Sequence, residues 1–180
     1  MRKRLCVAVA LSAAVGLSPF VLAQGIGKPR TVSTTVDVSE FAGIDGVGQD
    51  SGVTLDGDTV TITGSGTTSC GGGPNNCVFN ADGILLDNNT GPYTADDTFL
   101  APGLPTMSLV ARVGTEGPWT LIGEGPTTLS GSGDVYFAVN DNYFPDNAGG
   151  FVATISITCY PGKGLGDANH THCGPPGQNK

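Results

Sequence analysis

The chain reads as all-β, a single antiparallel β-sandwich of jelly-roll-like kind, and three observations lead there. Glycine (29 of 180 residues) and proline (12) interrupt the chain at short intervals, which punctuates it into short segments rather than long helices. Between these breaks the apolar residues recur every second position, the period of a half-buried strand. Val, Thr and Ile fill those positions, and β-branched side chains suit a pleated surface.

The first segment stands apart from that pattern. Met1-Arg2-Lys3-Arg4 is a basic head, residues 5–22 form an apolar run, and Val21-Leu22-Ala23 ends in a small residue. This arrangement predicts a secretory signal peptide cut after Ala23. Ser12, Gly16, Ser18 and Pro19 interrupt the run, which disfavours an uncleaved membrane anchor. A secreted or periplasmic protein of bacterial origin is expected, with no membrane attachment after cleavage.

The body is expected over residues 24–160, beginning with a short arm from Gln24 to Arg30. Residues 31–38 alternate Val32, Val36 and Val38 in a Thr-rich strand, and residues 43–51 form a Gly/Asp-rich loop. Val53–Leu55 and Thr59–Thr67 read as two strands joined by the turn Asp56-Gly57-Asp58, since Asp-Gly between alternating runs signals a hairpin. Residues 68–106 have no clear period, and long irregular stretches in compact domains are usually functional or mobile. Residues 107–113, 119–122 and 127–129 read as further strands, with turns at 114–117 and 131–133. Trp119 shares a strand with Leu121 and is expected in the core. Val135, Phe137 and Val139 define one more strand, and Phe151, Ala153, Ile155 and Ile157 the last. Residues 161–180 form a Gly/Pro-rich tail without a core pattern. Short strands at regular spacing predict a sandwich.

Charge and cysteines narrow the function. Without residues 1–23, five basic residues face sixteen acidic ones, so the formal charge moves from −8 to −11. Such a surface repels nucleic acid and anionic lipid. Cys70, Cys77, Cys159 and Cys173 remain, an even count that in an exported protein implies disulfides with three connectivities. The two short loops, Cys70–Cys77 and Cys159–Cys173, are favoured, the second tethering the tail. A metal site of Cys173 with His170 and His172 is the weaker alternative. No nucleophile–base pair is visible, because both histidines fall in the tail, and the chain is read as non-catalytic.

The segment from Asn140 to Gly150, Asn-Asp-Asn-Tyr-Phe-Pro-Asp-Asn-Ala-Gly-Gly, is the richest in chemistry. It concentrates two carboxylates and three amides between two strands. Oxygen donors on a tight loop suit a hard cation such as calcium; the same residue types also favour plain solvated turns. Asp141 and Asp146 repel each other unless a cation lies between them.

Several segments resemble a known family. Gly52 to Gly66, with its Gly57-Asp58 step and alternating strand, is similar to that family's early hairpin. Phe99-Leu100-Ala101-Pro102-Gly103 leading into Ser108 to Gly114 resembles its middle strand. Val139-Asn140-Asp141, Asp146-Asn147 and Gly149 to Ile155 resemble its closing hairpin. The family is the bacterial calcium-dependent galactophilic lectins with their wider set of lectin-like β-sandwich domains, and the likeness spans about residues 32–158. It implies that Asp141, Asp146 and Asn147 hold Ca2+, helped by a backbone carbonyl around residues 68–70. It also implies that Asp141, Asn142, Tyr143 and Asp146 face a sugar whose hydroxyls reach the ion. The implied partner is carbohydrate, such as galactose-type glycans, and a homo-oligomer fits the resemblance. Here the loop from Asp141 to Asn147 is shorter than in the galactose binder, and the intervening Asp/Asn-rich segment lacks the His and Gln that contact the sugar there. The alternative function is a structural or adhesive surface domain whose loop calcium merely rigidifies.

Overall fold

The computed structural model describes residues 30–71, 77–161 and 171–173. The predicted signal peptide, the arm before Arg30 and His170 lie outside the described residues. Eight strands form one antiparallel sheet: β1 (Arg30–Ser39), β2 (Gln49–Cys70), β3 (Cys77–Asn80), β4 (Leu109–Val113), β5 (Thr120–Leu121), β6 (Thr127–Val139), β7 (Ala148–Pro161) and β8 (Thr171–Cys173). The order is β1-β7-β2-β6-β4-β5, with β3 added to β2 and β8 to β7.

The 22-residue β2 organises the whole. Its first half pairs with β6 (Gln49 opposite Phe137, Val60 opposite Leu129). Its second half pairs with β7 (Val60 opposite Ile157, Ser69 opposite Ala148). The sheet thereby divides into a half built on β1, β7 and β3 and a half built on β6, β4 and β5. Both halves feed one core: Val38, Phe151, Ala153 and Ile155 meet Leu109, Ala111, Val135, Phe137 and Val139 in a single buried cluster. A sheet curled so that its inner faces share one core is the packing a sandwich needs. A Cβ added to Gly64 of β2 would lie 2.7 Å from the Leu109 side chain of β4, so the halves touch directly there.

Two predicted turns are strand irregularities instead. Asp56-Gly57-Asp58 does not reverse the chain; Asp56 faces Ser132 and Thr59 faces Ser130, leaving Gly57 and Asp58 opposite Gly131 alone. That is a β-bulge, with Gly57 at φ +75°, a conformation glycine adopts without a Cβ penalty. The expected turn at 131–133 is likewise absent, because Ser130, Ser132 and Gly133 pair with β2 and Gly131 runs on within β6. Aspartate–glycine signals a hairpin only when both flanks find each other; here both flanks pair with a third strand. Strands β3 and β8 were not foreseen, and β3 arises inside the stretch that lacks periodicity.

Trp119 is half-buried rather than deep in the core. It packs on the small cluster of Ala101, Val110 and Ala138 and carries the Arg112 guanidinium 4.4 Å from its ring centroid. The Cys70–Cys77 disulfide is present, with the two residues directly opposite in the β2–β3 ladder. Cys159 and Cys173 face each other in the β7–β8 register.

Candidate functional site

The polar loop between β6 and β7 closes over a single 3₁₀ turn, Phe144–Asp146. Phe144 anchors it: its ring is buried in the main core, as an apolar staple under a turn should be. Pro145 fixes the backbone of that turn. On either side stand the elements that frame the loop. The start of β7 is held between β1, where Ser39 faces Gly150, and the end of β2, where Ser69 faces Ala148. The 68–70 stretch from which a carbonyl was expected therefore runs alongside the loop's exit. The Cys70–Cys77 bridge pins that strand end.

Asn140 and Asp141 come next to each other at the end of β6, and both are buried. Asn140 is fully engaged. Its Oδ1 accepts from Ala101 N at 2.8 Å, and its Nδ2 donates to Ala101 O at 3.1 Å and Pro105 O at 2.9 Å. It is a plug that fastens the 101–105 loop, a role the sequence did not disclose. Asp141 is only half satisfied. Its Oδ1 accepts from Asn142 N at 2.7 Å, while its buried Oδ2 has no partner in the protein. Asn147, the C-cap of the 3₁₀ turn, repeats this. Its Nδ2 donates to Glu40 O at 3.2 Å, which fixes the amide orientation because a carbonyl needs a donor. Its buried Oδ1 is then left without a partner.

Two unsatisfied buried oxygens flanking one short turn are costly, since each forfeits its hydration without a replacement bond. Both are hard donors of the type calcium prefers, so the residues present fit the ion. Among the described residues no three His, Cys, Asp or Glu side chains converge on a metal position. A shell here would draw on amide and carbonyl oxygens and on oxygens from outside the chain. Asp146 is partly buried on the turn itself, and Asn142 and Tyr143 are exposed on the rim, Tyr143 at 61%. The rim also gains Thr98, whose Oγ1 accepts from Asn142 Nδ2 at 2.8 Å. Leu100 N adds a second tie to that flank, donating to Asp141 O at 3.2 Å.

No protein-family model matches the chain, and no curated protein does. Among solved structures it is similar to a chain described as EclA N-terminal domain, PllA-like lectin. The two are 23% identical, with a TM-score of 0.43, over 68% of this chain and 92% of that one. The chemistry of the site is decided by this chain's own atoms.

Away from the loop, Arg112 is a buried cation held by backbone carbonyls. Its Nη2 donates to the carbonyls of Gly46 and Val47, each at 2.9 Å, and its Nε is unpartnered. Asp45, in the same β1–β2 loop, is held below the ordinary carboxylate value. The N–H of Gly48 is the largest cause and that of Val47 the next; burial opposes them, and Arg112 contributes a smaller attraction. This pair organises the 40–48 loop whose Glu40 carbonyl holds Asn147. Among the described residues no helix is long and apolar enough to cross a membrane.

Proposed function

We propose that this chain is an exported, calcium-dependent carbohydrate-binding domain of lectin type that carries no catalytic machinery. The observation that supports it most is the pair of buried, unpartnered oxygens on one short loop, Asp141 Oδ2 two residues before the N-cap of the 3₁₀ turn and Asn147 Oδ1 at its C-cap. A cation between them would replace the lost hydration of both. Asp146 would supply a second carboxylate, and a carbonyl from residues 68–70 a further oxygen. Calcium takes six to eight oxygens, more than these side chains offer, so positions remain for the hydroxyls of a sugar. Tyr143, exposed beside them, offers an apolar ring face to the C–H edges of that sugar, and Asn142 a hydrogen-bonding amide. Galactose-type glycans are the first class to test, on the strength of the sequence resemblance. Signal cleavage after Ala23 would deliver the domain to an extracytoplasmic space, and self-association would make it multivalent.

A glycan array probed in millimolar calcium and again in excess chelator tests this reading. Binding should appear only in calcium, and Asp141→Asn should lose it by at least about tenfold, as expected when one carboxylate of a calcium site is neutralised. Glycan binding unaffected by chelator, or absent in both conditions, would refute the proposal.

A further inference from the structure

Beside the ion-facing oxygens runs a relay of three side chains from the neighbouring loop to the rim. Asp96 Oδ1 accepts from Thr98 N at 2.9 Å and from Thr98 Oγ1 at 2.5 Å. The Thr98 hydroxyl has one proton, and the carboxylate takes it, because charge-assisted O–H···O bonds are the short, strong ones. Toward Asn142 the same oxygen can then only accept, which it does from Nδ2 at 2.8 Å. The backbone N–H of Asn142 is tied to Asp141 Oδ1 at 2.7 Å. Asn142 is thus held from both sides although exposed, and its amide cannot flip without facing one acceptor with another.

We infer that Asp96 and Thr98 are positioning residues that fix Asn142 with its Oδ1 outward, as a dedicated hydrogen-bond acceptor on the sugar-facing rim. The inference rests on the lectin reading above and adds a ligand requirement to it. The bound saccharide must present a donor, a free hydroxyl, next to those hydroxyls that reach the ion. A rotating amide would accept or donate with equal ease and select nothing. A locked one penalises any substituent that offers only an acceptor, because two facing acceptors both stay unsatisfied. Pre-orienting the amide also removes part of its ordering cost on binding.

The test uses the full exported chain in calcium, a panel of neutral mono- and disaccharide glycosides, and the mono-O-methyl ethers of whichever glycoside binds best. Thr98→Val keeps the side-chain shape and deletes the hydroxyl; Thr98→Ser restores it. Thr98→Val should bind the free glycoside about five- to tenfold more weakly, the value of one hydrogen bond. It should also lose the wild type's discrimination against one of the methyl ethers, and Thr98→Ser should recover both. The calcium midpoint should stay within about twofold throughout, since no ion-facing oxygen is touched. Asp96→Ala, which releases the Thr98 proton, should move in the same direction as Thr98→Val. Unchanged discrimination in both variants would overturn the relay, as would a calcium midpoint that moves in step with sugar affinity. Wild-type protein that binds no glycan in calcium would instead remove the lectin function, and the inference with it.

Discussion

Asn140 and Asp141 show how neighbouring polar residues acquire opposite roles from their partners alone. Asn140 spends both ends of its amide on the 101–105 loop, whereas Asp141 keeps one buried oxygen unpaired. Replacing Asn140 by Ala would leave the buried Ala101 N–H without its acceptor, while the carbonyls of Ala101 and Pro105 keep the Leu104 N–H and the Ser108 hydroxyl. An unsatisfied buried group costs about 1–3 kcal/mol, so Asn140→Ala should destabilise the fold by about that amount. Urea unfolding followed by the fluorescence of the single Trp119 measures this directly. A loss below about 1 kcal/mol would mean that water replaces the amide. Little of this division is legible in the chain, because Asn140, Asn142 and Asn147 are chemically the same residue in one turn. What distinguishes them is tertiary: a loop forty residues upstream for Asn140, Thr98 for Asn142, and the Glu40 carbonyl for Asn147. Phe144 differs again: an aromatic ring beside a turn proline has few places to go but under the loop, where it joins the main core.

At the level of elements, the apolar patterns located β1, β4 and β7 closely; β1 and β7 turn one face to the shared core, whereas β4 is buried on both, Leu109 and Ala111 in the main cluster and Val110 in the smaller one. The same patterns misread β2 and β6 as pairs of short strands, because Gly57, Gly131 and Gly133 signal turns locally. Pairing with a partner strand outweighed that local preference: Gly57 falls in a bulge opposite Gly131, and Gly133 pairs with Leu55. Gly64 has a different reason for being glycine. Its backbone is ordinary, but an added Cβ would run into the carbonyl oxygen of Gly123 and the Leu109 side chain. Gly64→Ala should therefore cost about 1–3 kcal/mol through overpacking between the two halves of the sheet, read as a lower urea midpoint with an unchanged slope. The 40–48 loop makes a pH-dependent contribution. Asp45 is held below its ordinary value of 3.8, chiefly by the N–H groups of Gly48 and Val47. A depressed carboxyl stabilises the fold fully above that value and loses its effect as pH falls through the folded-state titration. Stability measured against Asp45→Asn should hence show a constant difference from pH 7 to about 5 and a shrinking one below about 4. A difference that grows toward acid would reverse the assignment.

Taken as a whole, the molecule sets a net charge of −8 around a loop with two unsatisfied oxygens, and the two features act in the same direction. The field raises the local concentration of divalent cations, and a bound cation would relieve both the field and the orphaned atoms. Mass action then links calcium to stability: a ligand at a hundred times its Kd adds about 2.7 kcal/mol, which for a domain of this size raises Tm by about 5–10 °C. Asp141→Asn separates ion binding from simple loop stiffness, because its effect should change sign. In chelator the wild type carries a buried, partly unpaired carboxylate, so neutralising it should leave Tm unchanged or higher. If the loop holds calcium as proposed, the same substitution would remove a ligand, and in calcium the variant should melt below the wild type. A variant that is less stable than the wild type by the same amount in both conditions would show that Asp141 serves the fold alone, because a structural hydrogen bond does not depend on the ion.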